Sequence, residues 1–437
     1  MSLLRWLVLV LAYAAALRCR GVDFALRDGD RVVFLGDSIT EQRLYTTYVE
    51  AYALTRYPAW RLSFRNVGWG GDTSWLRQRA HPDEGQLFAA EGPTLDAMVE
   101  KSVGRGLGRD VLPLKPTFVT VKFGMNDHSY QAFRPDIFRA YSRSQSEIAK
   151  VLKGAGARVA FLTPQPIEDK RPDPDNDARN LSLRQFSDGL KEVADRSEAA
   201  FVDQFAPYMN LMLAARAHDP KAVIGGGDAV HPGPAGQTIM AWSVLKGLGA
   251  TPAVSKADIQ IPTKGANTES CRIDNLSVTE HGLAFDRLDD ALPMPIDARA
   301  EGALKLAPIL DELSRYGLRV TGLPEGTYEV SVDGESIARL DSSQLAQGIN
   351  LSQFGGPVTQ QAREVLALVF RKNDRYFDRW RNVQLYSPPG WAKGPEIETR
   401  REAELKRIDD EIRELESQID AKRKPRQRHF EIKRVVS

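Results

Sequence analysis

Residues 31–40 read RVVFLGDSIT. Val32-Val33-Phe34-Leu35 is an unbroken apolar run, and Gly36-Asp37-Ser38 stops it. A short run without apolar–polar alternation is the pattern of a strand buried on both faces, as in a parallel sheet. A helical pattern follows over 42–57, and the same strand-then-helix order recurs. Leu62-Ser63-Phe64, Phe118-Val119-Thr120-Val121, Val159-Ala160-Phe161-Leu162 and Ala200-Phe201-Val202 read as strands. Residues 134–153, 182–197 and 235–248 read as helices. This alternation predicts an α/β domain over 22–250, with a parallel sheet covered by helices on both faces. In such sheets the ligand site lies beyond the C-terminal strand ends.

After residue 250 the pattern changes. Residues 251–272 are rich in Pro, Ser, Thr and Lys and read as a linker. An accessory region of mixed α and β character is expected over 273–395. Within it, 302–316 has a helical pattern, and 358–386 reads as a helix rich in Arg and aromatics. Residues 326–332 alternate strictly and end at Asp333-Gly334, a hairpin signal. Residues 396–437 read as a charged helix and a basic tail. Leu405, Ile408, Ile412, Leu415 and Ile419 recur at spacings of 3, 4, 3 and 4, an apolar seam. The seam leaves two uses open: packing against 360–386 as a helical hairpin, or a homodimeric coiled coil through 405–419. From Lys422 onward there are seven Lys or Arg and one acid, Glu431, which reads as a solvated end.

The chain has 437 residues, 59 Lys+Arg against 58 Asp+Glu, and a net charge of +1. A whole-protein nucleic-acid binder should be basic, so no nucleic-acid partner is expected. Two cysteines, Cys19 and Cys271, are too few for a disulfide framework or a four-cysteine zinc site. Residues 3–17 read LLRWLVLVLAYAAAL. One Arg, an apolar stretch and three small residues give the layout of a signal peptide over 1–21, cleaved near Ala14 or Ala16. The stretch is short for a span of roughly 20 residues, although an uncleaved anchor is the competing reading. The expectation is a secreted or periplasmic protein with no transmembrane span in its mature chain.

Four segments carry chemistry. Ser38 sits at the turn after the first strand, where its hydroxyl can stand over the sheet end and the following helix favours negative charge. The competing reading is a serine that only caps that helix. Asp228-Ala229-Val230-His231-Pro232 places a carboxylate and an imidazole on one turn. Serine is a weak nucleophile near neutral pH and needs a base to take its proton, with a carboxylate to orient that base. A structural histidine before a helix-starting proline is the alternative. Asn66-Val67-Gly68-Trp69-Gly70-Gly71-Asp72-Thr73 has glycines that let backbone approach a ligand. Asn126, in Gly124-Met125-Asn126-Asp127, can donate its side-chain amide to a developing oxyanion. Trp69 reads either as a stacking surface or as packing, and His128 either as pocket lining or as a supporting residue.

Together, in their order along the chain, the four segments resemble the motif blocks of the GDSL/SGNH hydrolase family, over residues 31–250. The resemblance implies a flavodoxin-like three-layer α/β/α sandwich. It implies Ser38 as nucleophile, with Asp228 and His231 completing the triad. It implies an oxyanion hole made by the N–H groups of Ser38 and Gly71 and the side chain of Asn126. No metal or cofactor is required. The Gly-x-Ser-x-Gly elbow of α/β-hydrolases is not present. The function implied is hydrolysis of carboxylic esters through an acyl-enzyme, with acyl or acetyl esters of carbohydrates favoured as substrate by the expected export. A broad short-chain carboxylesterase, a lysophospholipase-type acylhydrolase and acyl transfer to a sugar remain open. So does a glycan- or wall-binding module in which catalysis is incidental.

Overall fold

The computed structural model describes residues 24–392 and 394–435; the expected signal peptide lies outside them. The N-terminal half alternates as the sequence predicts. Its elements are β1 (Arg31–Gly36), α1 (Leu44–Arg56), β2 (Ser63–Asn66), α2 (Gly92–Asp110), β3 (Phe118–Lys122), α3 (Pro135–Gly154), β4 (Arg158–Leu162), α4 (Ala178–Arg196), β5 (Ala200–Val202), α5 (Phe205–His218) and α6 (Pro234–Gly247). The five strands form one parallel sheet in the order β2-β1-β3-β4-β5, the flavodoxin-like order.

The unalternating β1 run is explained by its two faces. Val32 and Phe34 enter the core that also holds Tyr48, Tyr52 and Ile239, from α1 and α6. Val33 and Leu35 enter the core with Val103, Ile148 and Phe186, from α2, α3 and α4. Successive strand side chains point to opposite faces, so every β1 residue after Arg31 is apolar or glycine and buried. The three layers bring the ends of β1, β2 and β3 to one edge, and the order switches beside β1.

The remainder is β6 (Ala253–Gln260), β7 (Gly265–Glu269), β8 (Cys271–Thr279), β9 (Gly282–Asp289), β10 (Arg315–Thr321), β11 (Thr327–Val332), β12 (Glu335–Asp341), β13 (Ile349–Asn350), α7 (Pro357–Phe377), α8 (Pro395–Lys422) and β14 (Arg428–Arg434). They make a mixed sheet, β13-β10-β6-β7, and an antiparallel sheet, β12-β11-β14-β9-β8. The hairpin at Asp333-Gly334 is present as β11 and β12.

Four expectations are corrected. The linker 251–272 is instead β6, β7 and the start of β8. Val254, Ser255, Ala257 and Ile259 are buried on β6 between charged residues that point outward; half-buried strands tolerate polar residues on one face. The helix over 302–316 is a 3₁₀ segment to Lys305 and a short helix Ile309–Leu313, and β10 begins at Arg315. Pro308 lies between the two helical pieces, where it cannot continue a helix. The basic tail is not a solvated end. Arg428–Arg434 alternates, buries Phe430 and Ile432 fully, and lies at the centre of the antiparallel sheet. The seam of α8 is not available for a homodimer through 405–419. Ile408, Ile412, Leu415 and Ile419 are buried within the chain, and α8 runs antiparallel to α7, tied by Gln361 to Lys422 and by Arg379 to Asp409.

Helix α7 also joins the two halves. Lys372 Nζ lies 2.6 Å from Glu50 Oε1, and Asn373 Nδ2 donates to Glu50 Oε2 at 2.9 Å and to Thr47 Oγ1 at 2.9 Å. Burial pushes the Glu50 carboxyl up and the Lys372 ammonium down, so the two charges depend on each other. Removing one partner of a buried pair costs about 3–5 kcal/mol, whereas an apolar replacement of both is far milder. Lys372→Ala is therefore expected to lower the unfolding free energy in urea by about that amount. The double change Glu50→Leu/Lys372→Met is expected to recover most of the loss.

Candidate active site

Strand β1 ends at Gly36, where a Cβ would stand 2.3 Å from Thr40 Oγ1 and 2.7 Å from the Lys122 carbonyl; only glycine fits. The one-turn helix Ser38–Glu41 follows. Its cap is Asp37, whose Oδ1 accepts the Ile39 N–H at 3.0 Å. Ser38 is thus relieved of capping. Its hydroxyl, half-buried at the sheet edge, lies 2.8 Å from His231 Nε2 across 193 residues of sequence.

His231 is held by its own loop. Asp228 Oδ1 accepts the N–H groups of Val230 at 2.8 Å and His231 at 2.7 Å, and Oδ2 lies 3.0 Å from His231 Nδ1. Burial works to raise the Asp228 carboxyl, but these bonds from His231 and Val230 bring it below the usual carboxylate value. Asp228 is therefore ionised at neutral pH and favours the tautomer with a proton on Nδ1. Nε2 is then free to accept from Ser38.

Residues not singled out in the sequence support this loop from behind. Gln165 Nε2 donates to the Val230 carbonyl at 2.9 Å, and its Oε1 accepts from buried Lys122 at 3.0 Å. Glu168 accepts the N–H groups of Ile224 and Gly225 and the Tyr208 hydroxyl. A lysine closing the apolar run of β3 was the available signal for Lys122; Gln165 and Glu168 had none.

The loop after β2 is shaped by Asn66, which donates to the Thr40 carbonyl at 2.7 Å and accepts the Gly68 N–H at 2.9 Å. Gly71 takes φ +74°, a region that favours glycine. Its N–H meets no acceptor among the described residues. Asn126 Nδ2 donates to the Asp72 carbonyl at 2.9 Å, and Tyr130 donates to Asn126 Oδ1 at 2.9 Å. The amide is thereby oriented, and one N–H remains uncommitted. Sequence reading missed Tyr130, although its φ of +56° beside Ser129 at +56° marks a constrained turn.

Asp127 ties the two loops together by accepting the Ser74 N–H at 2.8 Å and the Gly124 N–H at 2.9 Å. Burial pushes its carboxyl up to about 7. A carboxyl raised in the native state binds more protons folded than unfolded, so its stabilisation is complete below the ordinary value of 3.8 and is lost as pH rises through about 7. Urea unfolding of the parent and Asp127→Asn should show this: the parent's stability relative to the variant falls between pH 4.5 and pH 8. His128 is buried, and burial pushes its imidazole down to about 4. Its Nδ1 lies 3.2 Å from the Gly124 carbonyl, so it is a neutral supporting residue. Trp69 is a packing residue, with the Arg381 guanidinium 3.6 Å from its ring centre and the Trp380 ring edge-on at 5.8 Å.

Among the described residues, no group of three His, Cys, Asp or Glu is arranged to hold a metal ion, and no helix is long and apolar enough to cross a membrane.

The fold is that of an ester hydrolase of the SGNH type. Residues 34–239 match the GDSL-like Lipase/Acylhydrolase family, and the protein is a carboxylic ester hydrolase by class. Among solved structures it is similar to a gut microbial diltiazem-metabolizing enzyme, at 25% identity and TM-score 0.76, over 95% of this chain and 99% of that one. The acetylxylan esterase Axe2 from Geobacillus stearothermophilus matches 52% of this chain and 96% of its own, at 22% identity and TM-score 0.39. LAE5, an alpha/beta hydrolase enzyme from the metagenome of Lake Arreo, matches 52% and 98%, at 22% identity and TM-score 0.39. No curated protein sequence matches the chain.

Proposed function

We propose that the protein is an exported serine esterase that removes short acyl groups, acetyl foremost, from carbohydrate esters. The observation that carries the mechanism is the pair of contacts at His231: 2.8 Å to Ser38 Oγ and 3.0 Å to Asp228 Oδ2. His231 Nε2 takes the Ser38 proton as Oγ attacks the ester carbonyl. The N–H groups of Ser38 and Gly71 and the free amide N–H of Asn126 receive the oxyanion. His231 returns the proton to the departing alcohol. Water then enters, loses a proton to His231 as its oxygen attacks the acyl carbonyl, and His231 returns that proton to Ser38 Oγ as the acid departs.

Openness supports a bulky alcohol. The side chains of His231 and Asp228 are 36% and 67% exposed, so a large alcohol can stand over the triad. Export is supported by the apolar segment 3–17. The test is hydrolysis of p-nitrophenyl acetate, butyrate and octanoate, alongside acetate release from acetylated xylo-oligosaccharides. Highest kcat/KM for acetate, together with acetate release from the oligosaccharide, is expected. Preference for octanoate would replace this reading with a lipase-like one.

A further inference from the structure

The segment Asp378–Gln384, a π-helical extension of α7, reaches the catalytic turn from the other half of the chain. Arg381 lies with its guanidinium 3.6 Å from the Trp69 ring centre and its Nε 3.6 Å from Glu41 Oε1. The other oxygen of that carboxylate, Glu41 Oε2, accepts the Gly70 N–H at 2.7 Å. Glu41 is the last residue of the turn that Ser38 begins, and Gly70 precedes Gly71. A Cβ on Gly70 would stand 2.8 Å from Glu41 Oε2 and 4.0 Å from the Ser38 Cβ. One carboxylate thus spans the nucleophile turn and the oxyanion loop beside Ser38, and a cation from the C-terminal half faces it.

A second tie runs beside the first. Arg43 donates to the Glu41 carbonyl at 2.7 Å, pairs with Asp374 on α7 at 3.1 Å, and lies over the Phe377 ring at 4.2 Å. Trp380 is buried and meets Trp69 edge-on. Residues 374–381 therefore back the turn and the loop through charge, stacking and packing at once. That is more than a connection between two halves requires, because the buried pair Lys372–Glu50 already supplies one.

We propose that Arg381 is a positioning residue for ester hydrolysis: through Glu41 and Trp69 it holds the Gly70–Gly71 backbone in register with Ser38, so the C-terminal half completes the oxyanion hole. The inference rests on the triad reading above. Its energetic logic is that oxyanion donors act only when held at fixed positions, and a displacement of about 1 Å can cost as much as 100-fold in rate. The carboxylate holds the Gly70 N–H; the cation holds the carboxylate; the stacked guanidinium fixes the Trp69 ring from which the loop departs.

The experiment uses the full chain with Arg381→Ala, Arg381→Lys, Glu41→Gln and the double variant Glu41→Gln/Arg381→Ala. Three quantities are read: kcat and KM for p-nitrophenyl acetate, the inhibition constant of phenylboronic acid, and the thermal unfolding midpoint. Phenylboronic acid forms a tetrahedral adduct on the serine and so samples the oxyanion donors, whereas KM for a small ester does so weakly. Arg381→Ala is expected to lower kcat by roughly 10- to 100-fold, to weaken the boronate by a similar factor, and to leave KM nearly unchanged. Arg381→Lys keeps the charge but loses the planar stack and should fall between. The double variant should be no worse than the poorer single one, because both act through one link.

Unchanged kcat and boronate affinity in Arg381→Ala, with the parent active and Ser38→Ala inactive, would overturn the proposal and leave the esterase reading standing. Additive losses in the double variant would also overturn it. If Arg381→Ala does not fold, the near-isosteric Glu41→Gln decides the matter on the same readouts. A parent without Ser38-dependent hydrolysis sinks the esterase reading, and this inference with it.

Discussion

Ser38→Ala is expected to lower kcat for p-nitrophenyl acetate by on the order of a millionfold, the scale seen when a serine hydrolase loses its nucleophile. The structure makes this a clean test. Asp37, not Ser38, caps the turn, and the only side-chain hydrogen bond of Ser38 among the described residues is the one to His231. Alanine also suits a helical turn. The unfolding midpoint should therefore stay within the error of the parent while turnover disappears. Any residual rate above water reflects the oxyanion donors and binding alone. Hydrolysis that survives the substitution would sink the acyl-enzyme mechanism on Ser38.

Asp228→Asn carries the second largest effect, a fall of about 10⁴-fold in kcat. The side-chain oxygen of asparagine can keep the two bonds that Oδ1 accepts from Val230 and His231. Its NH₂ then occupies the place of Oδ2, 3.0 Å from His231 Nδ1. A donor there requires Nδ1 to be the acceptor, so the ring proton moves to Nε2. Nε2 now donates toward Ser38 and cannot take its proton. The loop stays folded, so the loss is one of protonation rather than of structure. Asp228→Ala also releases the two backbone N–H groups and should lose loop order as well. A difference in unfolding midpoint between the two variants, with similar activities, separates these effects. Wild-type turnover in Asp228→Asn would show that the imidazole does not depend on this carboxylate.

The parallel sheet and its order of elements were legible because burial on both faces leaves no polar residue in β1 except at its start. The meeting of Ser38, Asp228 and His231, and of Asn126 with the loop after β2, was legible because these residues stand in short segments where the chain turns sharply and composition is restricted. Asp37 as the cap, and Ser38 as free of it, was not legible: both are good capping residues, and only the backbone course distinguishes them.

The C-terminal half was read less well, for reasons that differ by element. Strand β6 carries Lys256 and Asp258 on its open face, so its composition resembles a linker. Strand β14 was hidden by its Arg and Lys, although Phe430 and Ile432 alternate with them. The seam of α8 was visible, but an apolar stripe does not state its partner, and α7 of the same chain covers it.

The sequence by itself determined the class of sheet, the position of the candidate site and the identity of the residues that converge there, because these follow from local periodicity and from motifs a few residues long. The tertiary structure alone decided which distant groups support them. Arg381 stands 340 residues from Glu41, and Gln165 stands 65 residues from the carbonyl of Val230. No periodicity relates such pairs. They meet because α7 packs on α1 and the loop before α6 lies against the segment after β4, and packing is a property of the whole chain.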